Sequence, residues 1–459
     1  MIIAFSGLGG SGKTLQAKKL KEEFEKEGKK AKLIHLSEKF RLINLVKKNT
    51  KTKSTWNVDL NPGIIKSIKS LLMSVYYVLH SWGFYFSTKR KTVILDRYYD
   101  DFLVGLYYRK RIPKSLLKVM LRLIPRPDLH YYVKVTHLTA YERKKEHPKK
   151  VIKAEETAYD EYLKLNNKVI IINGEKREKE VFNQIVFFTD KPKNLLPEEF
   201  AVQRSLFEKK CPHFSVDIAD KMIEYANANK CLYQLYLLFK KNKIGCSKES
   251  KLDEYFSEKL KKIKRTIEYV KKNYKEAIII KSLEKDADLG EDIDLLIPTG
   301  EIKKEEIQIP GGLPLDIHYS INYDGIVFLK GMEKKIPFDE LNYLVTVAHA
   351  VFEAGTITLN DVLKSKNKKV SKRIKKMVDE DGWINALEYF EEKTKKRYQR
   401  YPIFIPLPLV ISFKTKKIIN NLTKKQGIGK NIIFSQIKSL ANIWYAHVRR
   451  RITYYEKRL

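Results

Sequence analysis

Four short apolar runs punctuate the first 190 residues: Ile2 to Phe5, Thr92 to Leu95, Leu129 to Val135 and Val169 to Ile172. Runs of this length, three of them unbroken and Leu129 to Val135 interrupted by His130 and Lys134, separated by segments with apolar residues every three or four positions, predict parallel strands buried on both faces with helices between them. Leu15, Leu20 and Phe24 mark the apolar face of a first helix that ends at Gly28, and Val181, Ile185 and Phe188 mark a closing helix over 176–188. Ser70 to Phe86 runs 17 residues without a charged side chain. It lies at the short edge of a membrane-spanning length but between pieces of an α/β pattern, so a buried helix is expected. Farther on, Ile218, Met222, Tyr225 and Ala226 place a helix within 216–240, and a charged helix follows over 252–274. Glu276 to Ser282 reads as a strand, and Ile293, Leu295 and Ile297 alternate with polar positions in another. Tyr401 to Phe413 is apolar but carries three prolines. An extended segment packed on the fold is expected there, with shallow interfacial binding as the alternative.

At 459 residues the chain is about three times a typical domain of ~150 residues. The polar, proline-marked stretch Lys191 to Glu199 is the natural boundary. The expected division is 1–190, a linker over 191–204, a second domain over 205–370 and a basic, mostly helical region over 371–459. A hydrophobic share of 43%, with 21 Phe and 27 Tyr, excludes a disordered basic tail as the whole answer. Three widely spaced cysteines, Cys211, Cys231 and Cys246, exclude a disulfide framework and fit a reducing cytoplasm, and no basic leader precedes the first apolar run. The net charge of +36 divides into +19 over 1–190, zero over 191–360 and +17 over 361–459. A basic surface attracts phosphate in nucleotides, nucleic acids or lipids, and charge alone does not choose among them.

The first strand runs directly into Gly7-Leu8-Gly9-Gly10-Ser11-Gly12-Lys13-Thr14, which matches GxxxxGK[ST] at every fixed position. Glycines let backbone N–H groups converge on a phosphate, Lys13 adds a point charge, and Thr14 offers a hydroxyl to Mg²⁺. The helix that follows aims its N-terminus at the same anion. The run Thr92 to Leu95 delivers Asp96 and Arg97 to a strand end, where a carboxylate can hold a metal and a guanidinium a phosphate. An ion pair that merely closes the strand is the alternative. After the Pro127-Asp128-Leu129 strand comes a cationic segment with Arg143, Lys144, Lys145, Lys149 and Lys150. It reads either as a lid over polyphosphate or as a solvated face.

In this order, the glycine loop, Asp96-Arg97-Tyr98, Pro127-Asp128-Leu129, the basic stretch near Glu142-Arg143-Lys144 and the terminal strand–helix resemble thymidylate kinases over about residues 1–190. The resemblance implies a P-loop NTPase-type parallel sheet with helices on both faces, and ATP and Mg²⁺ as cofactors. Gly7 to Thr14 would bind ATP. Lys13, Asp96, Arg97 and Arg143 would be catalytic, with Thr14 and Asp96 at the metal. Tyr76, Tyr77 and Trp82 stand where the family places its acceptor-base helix.

In the neutral middle, Asp292-Ile293-Asp294 puts two carboxylates on one face of a strand, and Asp316 holds a similar strand position in Leu315-Asp316-Ile317-His318. Converging carboxylates call for a divalent cation unless they are solvated in an acidic turn. The Asp292-Ile293-Asp294 strand, the Lys281-Ser282 strand end, the Asp316-Ile317-His318 strand and the later segment with His349, Glu353 and Asp361 make residues 200–370 similar to the nucleotidyltransferase superfamily, with Gly290-Glu291 standing where that superfamily usually has a Gly-Ser pair. That likeness implies an α+β domain with a metal at Asp292, Asp294 and Asp316. His318 is a neighbour outside the expected catalytic set, and His349 with Glu353 reads as a hydrogen-bonded pair.

Lys364 to Lys376 holds eight Lys/Arg, and Trp444 to Tyr455 interleaves aromatics with arginines. Such mixtures either stack on bases or pack their rings inward. The expectation is thus an enzyme that phosphorylates a nucleoside monophosphate, joined to a metal-dependent nucleotidyltransferase-like domain with its own second substrate. The alternatives are nucleotidyl transfer to a small molecule, protein or RNA as the main activity, or a nucleotide-binding switch with a nucleic-acid-binding tail. A homodimer stays open, and no transmembrane segment is expected.

Overall fold

The computed structural model describes residues 1–36, 64–145, 147–274, 277–280, 293–297, 304–323, 326–330, 332–366, 368, 370–396, 398–423, 441 and 444. Two compact units emerge: residues 1–201 with 212–219, and residues 202–211 with 220–459.

The first unit is built on a five-stranded sheet of β1 (Ile2–Ser6), β2 (Ala31–His35), β3 (Thr92–Asp96), β4 (Leu129–Lys134) and β5 (Ile170–Asn173), in the order β2-β3-β1-β4-β5. All four pairings are parallel. Every residue of β1 is buried, as an unbroken Ile-Ile-Ala-Phe run requires when helices cover both faces. On one face Ile2, Ala4, Val93 and Leu95 pack with Tyr77, Leu103 and Leu117 from helices Ile64–Thr88, Tyr99–Tyr108 and Lys114–Leu123. The register Phe5↔Asp96 brings Asp96 level with the end of β1, where the glycine loop begins.

Three expectations change in this unit. The uncharged stretch 70–86 does lie in a helix, but it is not wholly buried: Leu72, Leu79 and Phe86 are 64%, 67% and 64% exposed. Tyr77 and Val78 turn inward instead, so the helix is two-sided with an apolar outer face. Leu15 does not join Leu20 and Phe24 in the core, because it faces outward at 44% exposure. The expected linker over 191–204 contains the start of helix Pro197–Glu208. Glu199 accepts the Leu196 N–H at 2.8 Å, and Phe200 packs against Phe188. The polar Pro-Glu-Glu lead is the first turn of that helix, with proline where no backbone donor is needed.

The second unit holds a mixed sheet of β6 (Ile278–Ile280), β7 (Ile293–Leu296), β8 (Lys304–Ile307) and β9 (Leu315–His318), in the order β6-β7-β9-β8. Only β7 and β9 run parallel. Ile293, Leu295, Leu315 and Ile317 pack on Ile263 and Val270 of helix Glu249–Asn273. The opposite face carries the polar residues. The helix expected within 216–240 is two, Val216–Ala228 and Leu232–Asn242, broken where Lys230 takes φ +54°.

The region expected to stand apart from residue 371 onward packs into this unit as far as it is described. Helix Leu407–Thr423 sends Lys417 to Asp381 at 2.8 Å, with both side chains fully buried. Asp381 also accepts the Leu329 N–H at 2.8 Å and the Trp383 indole N–H at 2.9 Å. The segment expected as extended over 401–413 is extended only briefly. Ile403–Phe404 pairs with Thr356–Ile357, and the helix then starts at Leu407. Pro408 falls in its first turn, where the missing N–H breaks no helical bond. Among the described residues no helix is long and apolar enough to cross a membrane. Residues 445–459, including most of the aromatic–arginine end, lie outside the described residues.

Replacing Lys417 with Met leaves the Asp381 charge buried without its counter-ion. Urea unfolding should show a loss of about 3–5 kcal/mol, and the double variant K417M/D381N should recover most of it.

Candidate active site

The glycine loop follows from backbone geometry. Gly7, Gly10 and Gly12 take φ of +144°, +86° and +89°, which side chains resist. A Cβ on Gly10 would lie 2.5 Å from the Ala140 carbonyl oxygen, and one on Gly7 would lie 2.8 Å from that of Val133. Gly9 and Gly12 face open space. Helix Lys13–Lys26 begins directly after the loop, and the Gly12 carbonyl accepts the Gln16 N–H at 3.1 Å. Its first N–H groups therefore point into the loop, where they favour an anion. Lys13 Nζ donates to the Leu8 carbonyl at 3.1 Å. Burial, aided by the charge of Arg97, pushes the Lys13 pKa down to about 8 against the opposing pull of Asp96.

Asp96 stands at the end of β3. Its Oδ2 accepts the Thr14 hydroxyl at 2.6 Å and lies 3.0 Å from His35 Nδ1, while its buried Oδ1 has no hydrogen-bond partner among the described residues. A carboxylate oxygen left open beside a hydroxyl and a phosphate-sized loop is a hard-oxygen donor set that fits Mg²⁺. Arg97 follows with φ +71°, a left-handed conformation that costs a non-glycine residue on the order of 1–3 kcal/mol. Its N–H continues the ladder to the Phe5 carbonyl at 2.9 Å, which holds that geometry. Burial opposes the Arg97 charge, but Tyr159, Asp101, Glu155 and Asp96 overcompensate and hold its pKa above the usual value.

A cavity of about 380 Å³ opens over the loop and is lined by Gly9, Gly10, Gly12, Lys13, Thr14, Asp96, Arg97 and Arg143. The four residues expected to be catalytic thus meet in one space with Thr14. Arg143, at the end of helix His137–Arg143, is steadied by a 3.0 Å bond to the Gly174 carbonyl. Of the other lid cations Lys144 also reaches the cavity, whereas Lys149 lies over the Tyr141 ring at 5.0 Å. Leu8 is fully buried and supports the loop from beneath. Trp82 is not part of this site: its indole donates to the Leu123 carbonyl at 2.8 Å.

Several groups here were not expected. His35 lines the cavity from the end of β2. Glu155, half-buried, sits in the field of Arg97, Lys13 and Arg109; burial raises its pKa and those cations partly counter the rise. Ile152, Glu155, Tyr159 and Tyr162 recur at helical spacing in Lys149–Leu165, so an acid inside an otherwise apolar stripe was the available signal. Beneath the loop lies a buried polar network. Asp101 accepts the Ser6 hydroxyl at 2.8 Å, the Tyr98 N–H at 2.7 Å and the Tyr159 hydroxyl. Ser6 Oγ also meets His130 Nε2 at 2.7 Å, and His130 Nδ1 lies 3.7 Å from Asp100, which takes the Tyr162 hydroxyl. Burial raises the Asp100 pKa, and His130 and Tyr162 work against it.

In the second unit, the parallel register pairs Asp294 with Asp316 and Leu296 with His318. His318 Nε2 lies 2.8 Å from Asp294 Oδ1, and one ligand atom from each of Asp294, Asp316 and His318 falls within 4.8 Å of the others, all buried. Two carboxylates and an imidazole form a donor set for a divalent cation. Asp292, Gly290, Glu291, Lys281 and Ser282 lie outside the described residues. His318 joins the set because strand alternation puts it on the same face as Asp316. His349 Nδ1 and Glu353 are paired at 2.6 Å, as their spacing suggests.

The family model described as thymidylate kinase matches residues 5–185, which supports a nucleotide-kinase-like first unit. No curated protein matches the chain.

Removing the Tyr159 hydroxyl should test the network under the loop. Tyr159→Phe deletes one donor to a buried carboxylate and should lower the unfolding free energy by about 1.5–3 kcal/mol in urea titrations.

Proposed function

We propose that the first unit transfers the γ-phosphoryl group of ATP to the phosphate of a nucleoside monophosphate. The observation that carries this reading is the single cavity in which the glycine loop, Lys13, Thr14, Asp96, Arg97 and Arg143 meet. The acceptor phosphate oxygen attacks the γ-phosphorus in line, the bond to the β–γ bridging oxygen breaks, and ADP leaves. Lys13 and the helix N-terminus hold the ATP phosphates, Arg97 orients the acceptor phosphate, and Arg143 adds charge from the lid side. Thr14 and Asp96 are the residues that would hold Mg²⁺. That ion, when bound, draws negative charge from the phosphate oxygens. Glu155 and Asp101 keep the cations in place between turnovers.

A panel of nucleoside monophosphates, each with ATP and Mg²⁺, tests the reading by ADP release and product analysis. One acceptor should be phosphorylated, and Lys13→Ala should lower kcat by about 10²–10³-fold. ATP binding without transfer to any member of the panel would overturn it. A metal-specific check follows from the open Asp96 oxygen. Asp96→Asn should abolish the gain in ATP affinity that Mg²⁺ confers, measured by calorimetry with and without EDTA.

The Asp294–Asp316–His318 cluster supports a second reading, in which the second unit is a metal-dependent nucleotidyltransferase with Asp292 as a further ligand. Nucleotidyl transfer to a small molecule, a protein or RNA is its proposed chemistry. Mn²⁺ should raise the melting temperature of the full chain, and Asp294→Asn should remove that rise while leaving nucleoside monophosphate phosphorylation intact. An unchanged melting temperature with Mn²⁺ would remove the basis for this reading.

A further inference from the structure

Helix Ile64–Thr88 turns Tyr77 and Val78 toward the sheet and leaves its other side apolar. Ile68, Leu72, Val75, Leu79, Trp82 and Phe86 are all exposed. At 3.6 residues per turn their spacing gathers them into a stripe about 80° wide, running about 27 Å along the helix. Helix Lys114–Leu123 widens it. The Trp82 indole donates to the Leu123 carbonyl at 2.8 Å, and Val119 and Leu123, one turn apart, are exposed as well. Single exposed apolar side chains are ordinary, whereas a continuous stripe of them on a folded unit marks a contact surface.

The rim of this surface carries one sign of charge. No carboxylate occurs between Ile64 and Leu95, nor between Phe102 and Pro127. Lys69 flanks the stripe near its first turn, and Lys89, Arg90 and Lys91 follow its last. Lys118 and Arg122 stand next to Val119 and Leu123 in the second helix, and all of these cations are exposed. Lys114 is not counted with them, because it pairs with Glu161.

An apolar centre with a cationic rim discriminates among occupants. A symmetric contact with a second copy would set the same cations against one another. Nucleic acid offers phosphates but no apolar body to cover Leu72, Val75 and Leu79. The boundary of an anionic bilayer offers both, with acyl chains at one depth and charged headgroups just above them. Trp82, with an apolar ring and a polar edge, suits that boundary. We propose that the first unit docks on an anionic phospholipid surface through this face. Helix Ile64–Thr88 lies flat in the interface, Leu72, Leu79 and Phe86 enter among the acyl chains, and the flanking lysines and arginines meet the headgroups. The contact is peripheral, since no described helix is long and apolar enough to cross a membrane. It does not depend on the chemistry at the glycine loop.

Flotation of the full chain with vesicles of phosphatidylcholine containing about one-third phosphatidylserine tests the proposal. The chain should float with these vesicles, more weakly at high salt, and bind pure phosphatidylcholine at least about tenfold less tightly. Two variants separate the apolar and cationic parts: Leu72→Ser with Leu79→Ser and Phe86→Ser, and Lys89→Glu with Arg90→Glu, Lys118→Glu and Arg122→Glu. Each should weaken vesicle binding by about tenfold or more, with circular dichroism and ATP-analogue affinity unchanged. Full affinity in the serine variant would assign lipid capture to basic residues elsewhere in the chain and overturn the proposal, as would full affinity in the charge-reversed variant. Absence of flotation with anionic vesicles would also overturn it, and a dimer in sedimentation velocity that the serine variant dissolves would then assign the stripe to a second copy.

Discussion

Lys13, which is buried, and Arg97, which is half-buried, are two cations that face one cavity, and the first unit is organised around holding them there. Like charges in a low-dielectric space repel, and Arg97 contributes directly to lowering the Lys13 pKa. The opposing anions come from three different elements: Asp96 from β3, Asp101 from helix Tyr99–Tyr108 and Glu155 from helix Lys149–Leu165. Two of these anions are in turn fixed by neutral donors, Asp96 by Thr14 and Asp101 by Ser6 and Tyr159. The result is a site that carries positive potential toward a phosphate without collapsing onto its own carboxylates. A parallel sheet makes this feasible, because it ends several strands at one edge and brings distant segments together there.

The second unit poses the converse problem. Its sheet places Asp294 and Asp316 side by side, with His318 beside them, and covers the other face with Ile293, Leu295, Leu315 and Ile317. Concentrated negative charge here stands against concentrated positive charge in the first unit. The neutral net charge of residues 191–360 conceals this local acidity, just as +19 over residues 1–190 conceals the carboxylates that hold Lys13 and Arg97.

What the sequence disclosed depends on whether the relevant constraint is local. The glycine loop was legible because its positive φ angles and close approaches to Val133 and Ala140 permit almost no other residues. Asp96 and Arg97 were legible because they end an apolar run. His35 and Glu155 were not, since their roles arise from the pairing of β2 with β3 and from the docking of a distant helix. His318 falls outside the expected catalytic set for the same reason: only the β7–β9 register brings it to Asp294. The misread elements share another cause. Apolar content in 70–86 indicated burial, but composition does not say how many sides of a helix are covered. Proline with charge in 191–204, and three prolines in 401–413, indicated non-helical chain, whereas both stretches contain helix starts that tolerate those residues.

The buried pair between Asp381 and Lys417 has a consequence for the order in which this protein is made. The carboxylate lies near the middle of the second unit, in contact with Leu329 and Trp383, but its counter-ion arrives only with the last described long helix. During vectorial synthesis, the glycine-loop sheet can close while the later residues are still being added. The core around Asp381 must wait until Lys417 has emerged, and until then its carboxylate stays hydrated or protonated. The pairing of Asp381 with Lys417 is therefore a late event in the folding of the second unit.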